Sequence, residues 1–275
     1  MIPDILNYTF FQHALIGSLL VSISCGIIGT YIVTRRLVFI SGGITHASFG
    51  GLGLGFYTGI NPVLMAIGAA ILSAFGVQWL SKKQAVREDS AIAVFWALGM
   101  ALGIIFIFMT PGFTPGLTEF LFGNILTITR SDLWWFGGFT LILSLFTLLF
   151  LHTIIFVAFD PEFAKVRRLP VRFIESAMLC FIAIAIVLSI RMIGIVLLMT
   201  VITLPQMISN IFSHNYRRIM CWSVINCLAA CIGGLFISYY LNVPAGACIV
   251  FILTLMYGIG RSINLIAPKK GFEKQ

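Results

Sequence analysis

Charge is what this chain has least of. Asp, Glu, Lys and Arg make up 9% of its 275 residues, where soluble domains carry roughly 25%. A water-soluble globule is excluded, since 60% of the residues are hydrophobic and too few polar groups remain to cover it. Also lacking is any G-x-x-x-x-G-K-[ST] phosphate loop, so the chain does not hydrolyse ATP by that route. No GxSxG or HExxH is present, which removes the common hydrolase signatures. No Cys pair has CxxC spacing. The six cysteines, Cys25, Cys180, Cys221, Cys227, Cys231 and Cys248, all fall in apolar runs, as small buried hydrophobes do. Cys227 and Cys231 share a helix face, which leaves a soft-metal reading open. The opening MIPDILNYTFFQ has no basic n-region, so the first apolar run is expected to be a retained span and not a signal peptide.

What is present is a series of long apolar runs, and 275 residues give room for about nine spans of around 20 residues. The expected spans are 13–33, 37–57, 63–80, 90–109, 132–159, 173–190, 192–212, 219–241 and 245–260, with Arg191 joining the sixth to the seventh. Pro205 is expected to kink the seventh span, with Gln206 serving the freed backbone. The piece 117–128 follows TPGFTPG and is too short to cross, so it reads as a re-entrant or surface helix. The fold class expected is all-α and polytopic, one transmembrane domain over 1–275 with eight to nine spans.

The net charge of +8 does not point to nucleic acid, because the basic residues sit in short clusters between apolar runs and form no basic face. With the amino terminus outside, all of the 17 Lys and Arg residues except Arg130 and Arg191 become cytoplasmic. The positive-inside rule therefore puts the amino terminus outside and the carboxyl terminus in the cytoplasm.

Two stretches stand out from this pattern. In ISGGITHASFGGLGLG, Ile40 to Gly55, residues Gly42, His46, Gly50 and Gly53 project within an arc of roughly 80° of one helix. That face carries an imidazole and otherwise no side chain. Either a neighbouring helix approaches it closely, as Gly51 with Gly55 and Gly99 with Gly103 also suggest, or His46 faces the path of something that binds imidazole. His13, His152 and His214 read as interfacial or structural. The second stretch is the polar loop Asp160 to Arg172. Asp160-Pro161-Glu162 is a helix start, with an acidic N-cap and proline at the first helical position. Phe163 and Val166 then give an apolar stripe, and Lys165, Arg167 and Arg168 follow. Such a helix could lie on lipid headgroups or serve as a knob for a partner protein.

Taken together, THASFGG, REDSAIAVFWALGMALGIIF, LFGNIL, AFDPEFAKVRRLPVRFIE and IGIVLLMTVITLP resemble, in order, the permease subunits of zinc and manganese ATP-binding-cassette importers. The resemblance implies a vitamin-B12-importer-like permease of the bacterial inner membrane, a homodimer of permeases, cytoplasmic ATPase subunits that bind the ATP, and an external metal-binding protein. It implies no tightly bound cofactor, the divalent metal, zinc or manganese, being cargo. Thr45-His46-Ala47 resembles the family's Ser-His-Ala, which places Thr45 and His46 on the metal path. Asp160, Pro161, Glu162, Phe163, Ala164, Lys165, Arg167 and Leu169 resemble the helix that couples to the ATPase. Two positions depart from the pattern: Gly42 stands where many members carry an acid, and Arg168 where they often carry glycine. Without that carboxylate, the imidazole suits zinc at least as well as manganese. An importer of iron chelates or a vitamin and a gradient-driven secondary transporter remain the alternative readings.

Overall fold

The computed structural model describes residues 8–83, 86–112 and 128–266. Their regular structure is entirely helical: α1 (Thr9–Thr34), α2 (Val38–Thr58), α3 (Pro62–Lys83), α4 (Glu88–Met109), α5 (Arg130–Phe159), α6 (Pro161–Val166), α7 (Val171–Phe212), α8 (Tyr216–Leu241) and α9 (Ala245–Ile266). This is the all-α polytopic fold expected. The expected re-entrant piece 117–128 lies, apart from Ile128, outside the described residues.

Seven of these helices are long and apolar enough to cross a membrane, α2 not among them. Its glycines lower its hydropathy, yet its 21 residues reach about 31 Å at 1.5 Å per residue. Short turns join the helices. Gly59 closes α2 with φ 73°, Asn61 Oδ1 accepts from the Val63 amide at 3.0 Å to start α3, and Asn242 ends α8 at φ 53°.

Helix α7 corrects the expectation at its middle. As a straight rod its 42 residues would extend about 63 Å, far beyond a bilayer core. The first arm instead runs antiparallel to α5. Phe173 lies 6.0 Å from Phe150, Phe181 6.2 Å from Phe139, and Arg191 Nε 3.0 Å from Asp132 Oδ1. Tyr216, just past the second arm, then meets Phe159, at the end of α5, with ring centroids 6.2 Å apart. Both ends of α7 therefore lie at one end of the bundle. The chain reverses at Gly194, the one residue inside α7 with non-helical angles, φ 76° and ψ 167°, a region essentially open to glycine alone. The junction sits three residues beyond Arg191, and the backbone at Pro205 stays helical. Gln206 does not serve its own helix either, since its Nε2 donates across to the Cys25 carbonyl of α1 at 2.7 Å. With α2 and both arms of α7 counted, nine segments among the described residues run between the two ends.

Burial separates these segments into a centre and a rim. The most apolar stretches of α1 and α7 are mostly buried, whereas those of α4 and α9 are mostly exposed. The outward faces carry Phe108, Leu148, Leu149 and Phe251, as a surface against lipid or another apolar partner requires. Polar side chains turn inward: Ser24 meets Thr140 at 2.9 Å, and Ser209 Oγ accepts from Asn226 Nδ2 at 3.1 Å. Such bonds between membrane helices contribute about 0.6 kcal/mol each. The six cysteines are free thiols. No three His, Cys, Asp or Glu side chains are grouped to hold a metal among the described residues, and Cys227 and Cys231 are both buried.

Candidate functional site

Helix α2 is held by backbone contact on two faces. A Cβ at Gly50 would fall 2.9 Å from the Gly99 carbonyl oxygen, and one at Gly53 2.5 Å from that of Gly103, both in α4. Gly51 and Gly55 press in the same way on Met65 and Pro62 of α3. The arc read from the sequence is thus a real face, and α4 covers it. Gly50 and Gly53 belong to the seam between the two helices.

Nearer the start of α2 the seam holds side chains. The His46 imidazole stacks on the Trp96 indole of α4, with centroids 4.0 Å apart and planes 11° from parallel. Its Nδ1 is buried and has no hydrogen-bond partner among the described residues. A buried polar atom of this kind costs free energy unless something satisfies it. One turn earlier, Gly42 faces the Met199 methyl group and the edge of Trp96. Thr45 is fully buried, and its hydroxyl donates to the Ser41 carbonyl at 2.7 Å with Met199 Sδ 4.0 Å away. The structure therefore gathers Gly42, Thr45 and His46 with Trp96 and Met199. Neither of the last two was singled out beforehand, and only their presence in the motif-bearing segments FWALG and LLMTV hinted at them. The side-chain donors within this group are an imidazole nitrogen, a thioether sulfur and the Thr45 hydroxyl, which is engaged with the Ser41 carbonyl, and it contains no carboxylate.

The second cluster lies at the end of the bundle where most of the basic residues collect. Asp160 caps α6 by accepting from the Phe163 amide at 2.9 Å, and Pro161 occupies the first helical position. Ala164 is fully buried, whereas Val166 is 81% exposed, so the helix is anchored by one face and presents the other. Phe163 packs 6.0 Å from Phe156, and the Arg167 guanidinium lies 5.3 Å over the Phe163 ring. Glu162 and Lys165 pair at 2.6 Å. The helix is shorter than Asp160 to Leu169: it ends at Val166, Arg168 turns left-handed at φ 58°, and the Leu169 amide closes back on the Ala164 carbonyl at 3.0 Å. That φ explains why glycine suits position 168, since only glycine adopts it without strain.

Comparison with known proteins gives this architecture its class. The model of the ABC 3 transport family matches residues 7–263. The chain belongs to that family. A Chlamydia pneumoniae protein named "Probable metal transport system membrane protein" is 36% identical, the match covering 90% of this chain and 86% of that one. The manganese transport system membrane protein MntC of Halalkalibacterium halodurans and the chelated iron transport system membrane protein YfeD of Yersinia pestis are each 28% identical. In both cases the match covers 98% of this chain and 91% of the relative. Among solved structures, PsaBC from Streptococcus pneumoniae in complex with Fab superposes with TM-score 0.87 at 26% identity, covering 99% of this chain and 98% of that one. A metal-chelate type ABC transporter in an inward-facing conformation shares the fold, with TM-score 0.70 at 15% identity over 95% and 88% of the two chains. The chain is accordingly an integral membrane permease subunit, the transport component of such a system and not its catalytic one.

Proposed function

We propose that this permease moves a divalent metal ion into the cytoplasm, zinc in preference to manganese, with His46 as a transient ligand on the way. The observation that carries the reading is the buried Nδ1 of His46, in the seam between α2 and α4, without a hydrogen-bond partner among the described residues. The family and the metal-transport names of the relatives support the cargo class. The lack of a carboxylate beside His46 supports zinc, which takes imidazole readily, whereas harder oxygen donors suit manganese. In this reading the basic end faces the cytoplasm, a separate ATPase subunit docks on the exposed side of α6, a second permease copy completes the membrane unit, and an external metal-binding protein delivers the ion. The 28% identity to MntC favours manganese as the second reading.

The test is uptake by proteoliposomes holding the full complex, with zinc and manganese supplied separately. His46→Ala is expected to lower uptake by about tenfold or more, the scale on which metal sites respond to loss of a supporting group. Unchanged uptake would remove His46 from the path, and a manganese rate above that for zinc would reverse the order of the ions.

A further inference from the structure

The two helices that flank α6 along the chain are bridged by one side chain that belongs to a third helix. Arg35 ends α1, and its guanidinium forks. Nη1 donates to the Val157 carbonyl at 3.2 Å, and Nη2 to Glu175 Oε1 at 2.7 Å. Val157 lies three residues before Asp160 on α5, and Glu175 five residues after Pro170 on α7. The fork therefore grips both segments between which α6 hangs. Its ion pair is largely shielded, with 21% and 15% of the two side chains exposed. An arginine can hold two acceptors at once because its donors are fixed in a plane. Beyond Arg35 the chain has only Arg36, in the left-handed region at φ 59°, and Leu37 before α2 begins at Val38. The Leu37 amide is bonded back to the Ile32 carbonyl at 2.8 Å, so this turn is stiff. Helices α1 and α2 otherwise hardly touch. A displacement of α6 that pulls on Val157 or Glu175 thus has a route to the His46 helix through one guanidinium and one tight turn, beside the direct packing of α7 on α2 at Met199.

We propose that Arg35 is the positioning residue that transmits movement of α6 to α2, linking events at the ATPase face to the surroundings of His46. The proposal rests on the reading of α6 as the ATPase dock. It assigns Arg35 a role in coupling and not in holding metal or binding the ATPase.

The test measures metal uptake and phosphate release together in proteoliposomes containing permease, ATPase subunit and metal-binding protein, with zinc and manganese as probes. Arg35→Gln is expected to keep phosphate release within about twofold of wild type while metal carried per ATP falls about tenfold, a coupling loss of the size seen between linked sites. Glu175→Gln is expected to behave alike, and the double variant to be no worse than either single one, because all three remove the same bridge. Arg35→Lys keeps the charge but not the fork and should fall between. A wild-type ratio of metal to ATP in Arg35→Gln and Glu175→Gln would overturn the proposal, as would an equal loss of both activities, which marks a merely structural clamp. Should Arg35→Gln not assemble, Arg35→Lys and Glu175→Gln decide alone, a wild-type ratio in both overturning it. A wild-type complex that releases phosphate but takes up neither metal would instead overturn the metal-transport reading.

Discussion

A Cβ at Gly42 would stand 3.3 Å from the Met199 methyl group and 3.8 Å from the Trp96 ring, so an acid there must share its space with a flexible thioether. Methionine can yield, having three rotatable bonds. Gly42→Asp is therefore expected to fold and to set a hard oxygen one turn from His46. Manganese uptake should rise relative to zinc by about tenfold, as addition of a hard oxygen donor predicts; paired uptake assays of variant and parent measure the ratio. Arg168 offers a stability test. It holds a left-handed φ of 58° and its side chain has no hydrogen bond or ion pair among the described residues, so Arg168→Gly should stabilise the turn by about 1 kcal/mol, seen as a higher midpoint of thermal unfolding in detergent. At this scale His46 stood out as the lone imidazole on a bare helical face, and Gly42 and Arg168 as departures from the pattern of the family that the chain resembles. The sequence could not point to Met199, 154 residues from its contact Thr45, or to Trp96 as the stacking partner, because a bare helix face does not say which helix will fill it.

Among the elements, the α2–α4 seam shows what the glycine stripe does. The six glycines of α2 each cost about 1 kcal/mol relative to alanine, and the close approach of Gly50 to Gly99 and of Gly53 to Gly103 is what that cost makes possible. In a medium without a hydrophobic drive between helices, such approach is a main source of association. Gly50→Leu should accordingly separate α2 from α4 and abolish folded protein, whereas the same change at Gly68, where a Cβ meets open space, should leave it intact; recovery of monodisperse protein after solubilisation compares them. The short helix α6 was readable from Asp160-Pro161-Glu162, since capping is local chemistry. Its early end was not, because the left-handed turn falls on an arginine. Ala164 is its weakest point: its amide bonds the Asp160 carbonyl at 3.1 Å and its side chain is fully buried. Ala164→Pro removes that bond and should abolish capture of the ATPase subunit by the permease. Glu162→Gln, which loses only an exposed ion pair worth less than about 1 kcal/mol, should retain it.

For the whole molecule, the number of crossings depends on one residue. Charge distribution and span lengths indicated a reversal near Arg191, and the bundle does reverse there, but at Gly194, because the backbone needs φ 76° with ψ 167° and no other residue nearby tolerates it. Arg191 has a different task. Paired with Asp132 at 3.0 Å, it fastens the tip of the α7 hairpin to the start of α5, where Asp132 also closes a capping box with Thr129. The hairpin tip is thus held by a conformation and by an ion pair, and the two can be separated. Asp132 is 15% exposed and Arg191 54%, so the pair is partly screened and its loss should be mild. Gly194→Ala places a Cβ in a region that costs of order 1–3 kcal/mol, with no alternative that keeps both arms in register. Gly194→Ala should therefore lower the thermal midpoint well below that of Arg191→Gln. If the two variants melt together, the reversal is carried by the ion pair and the glycine is incidental.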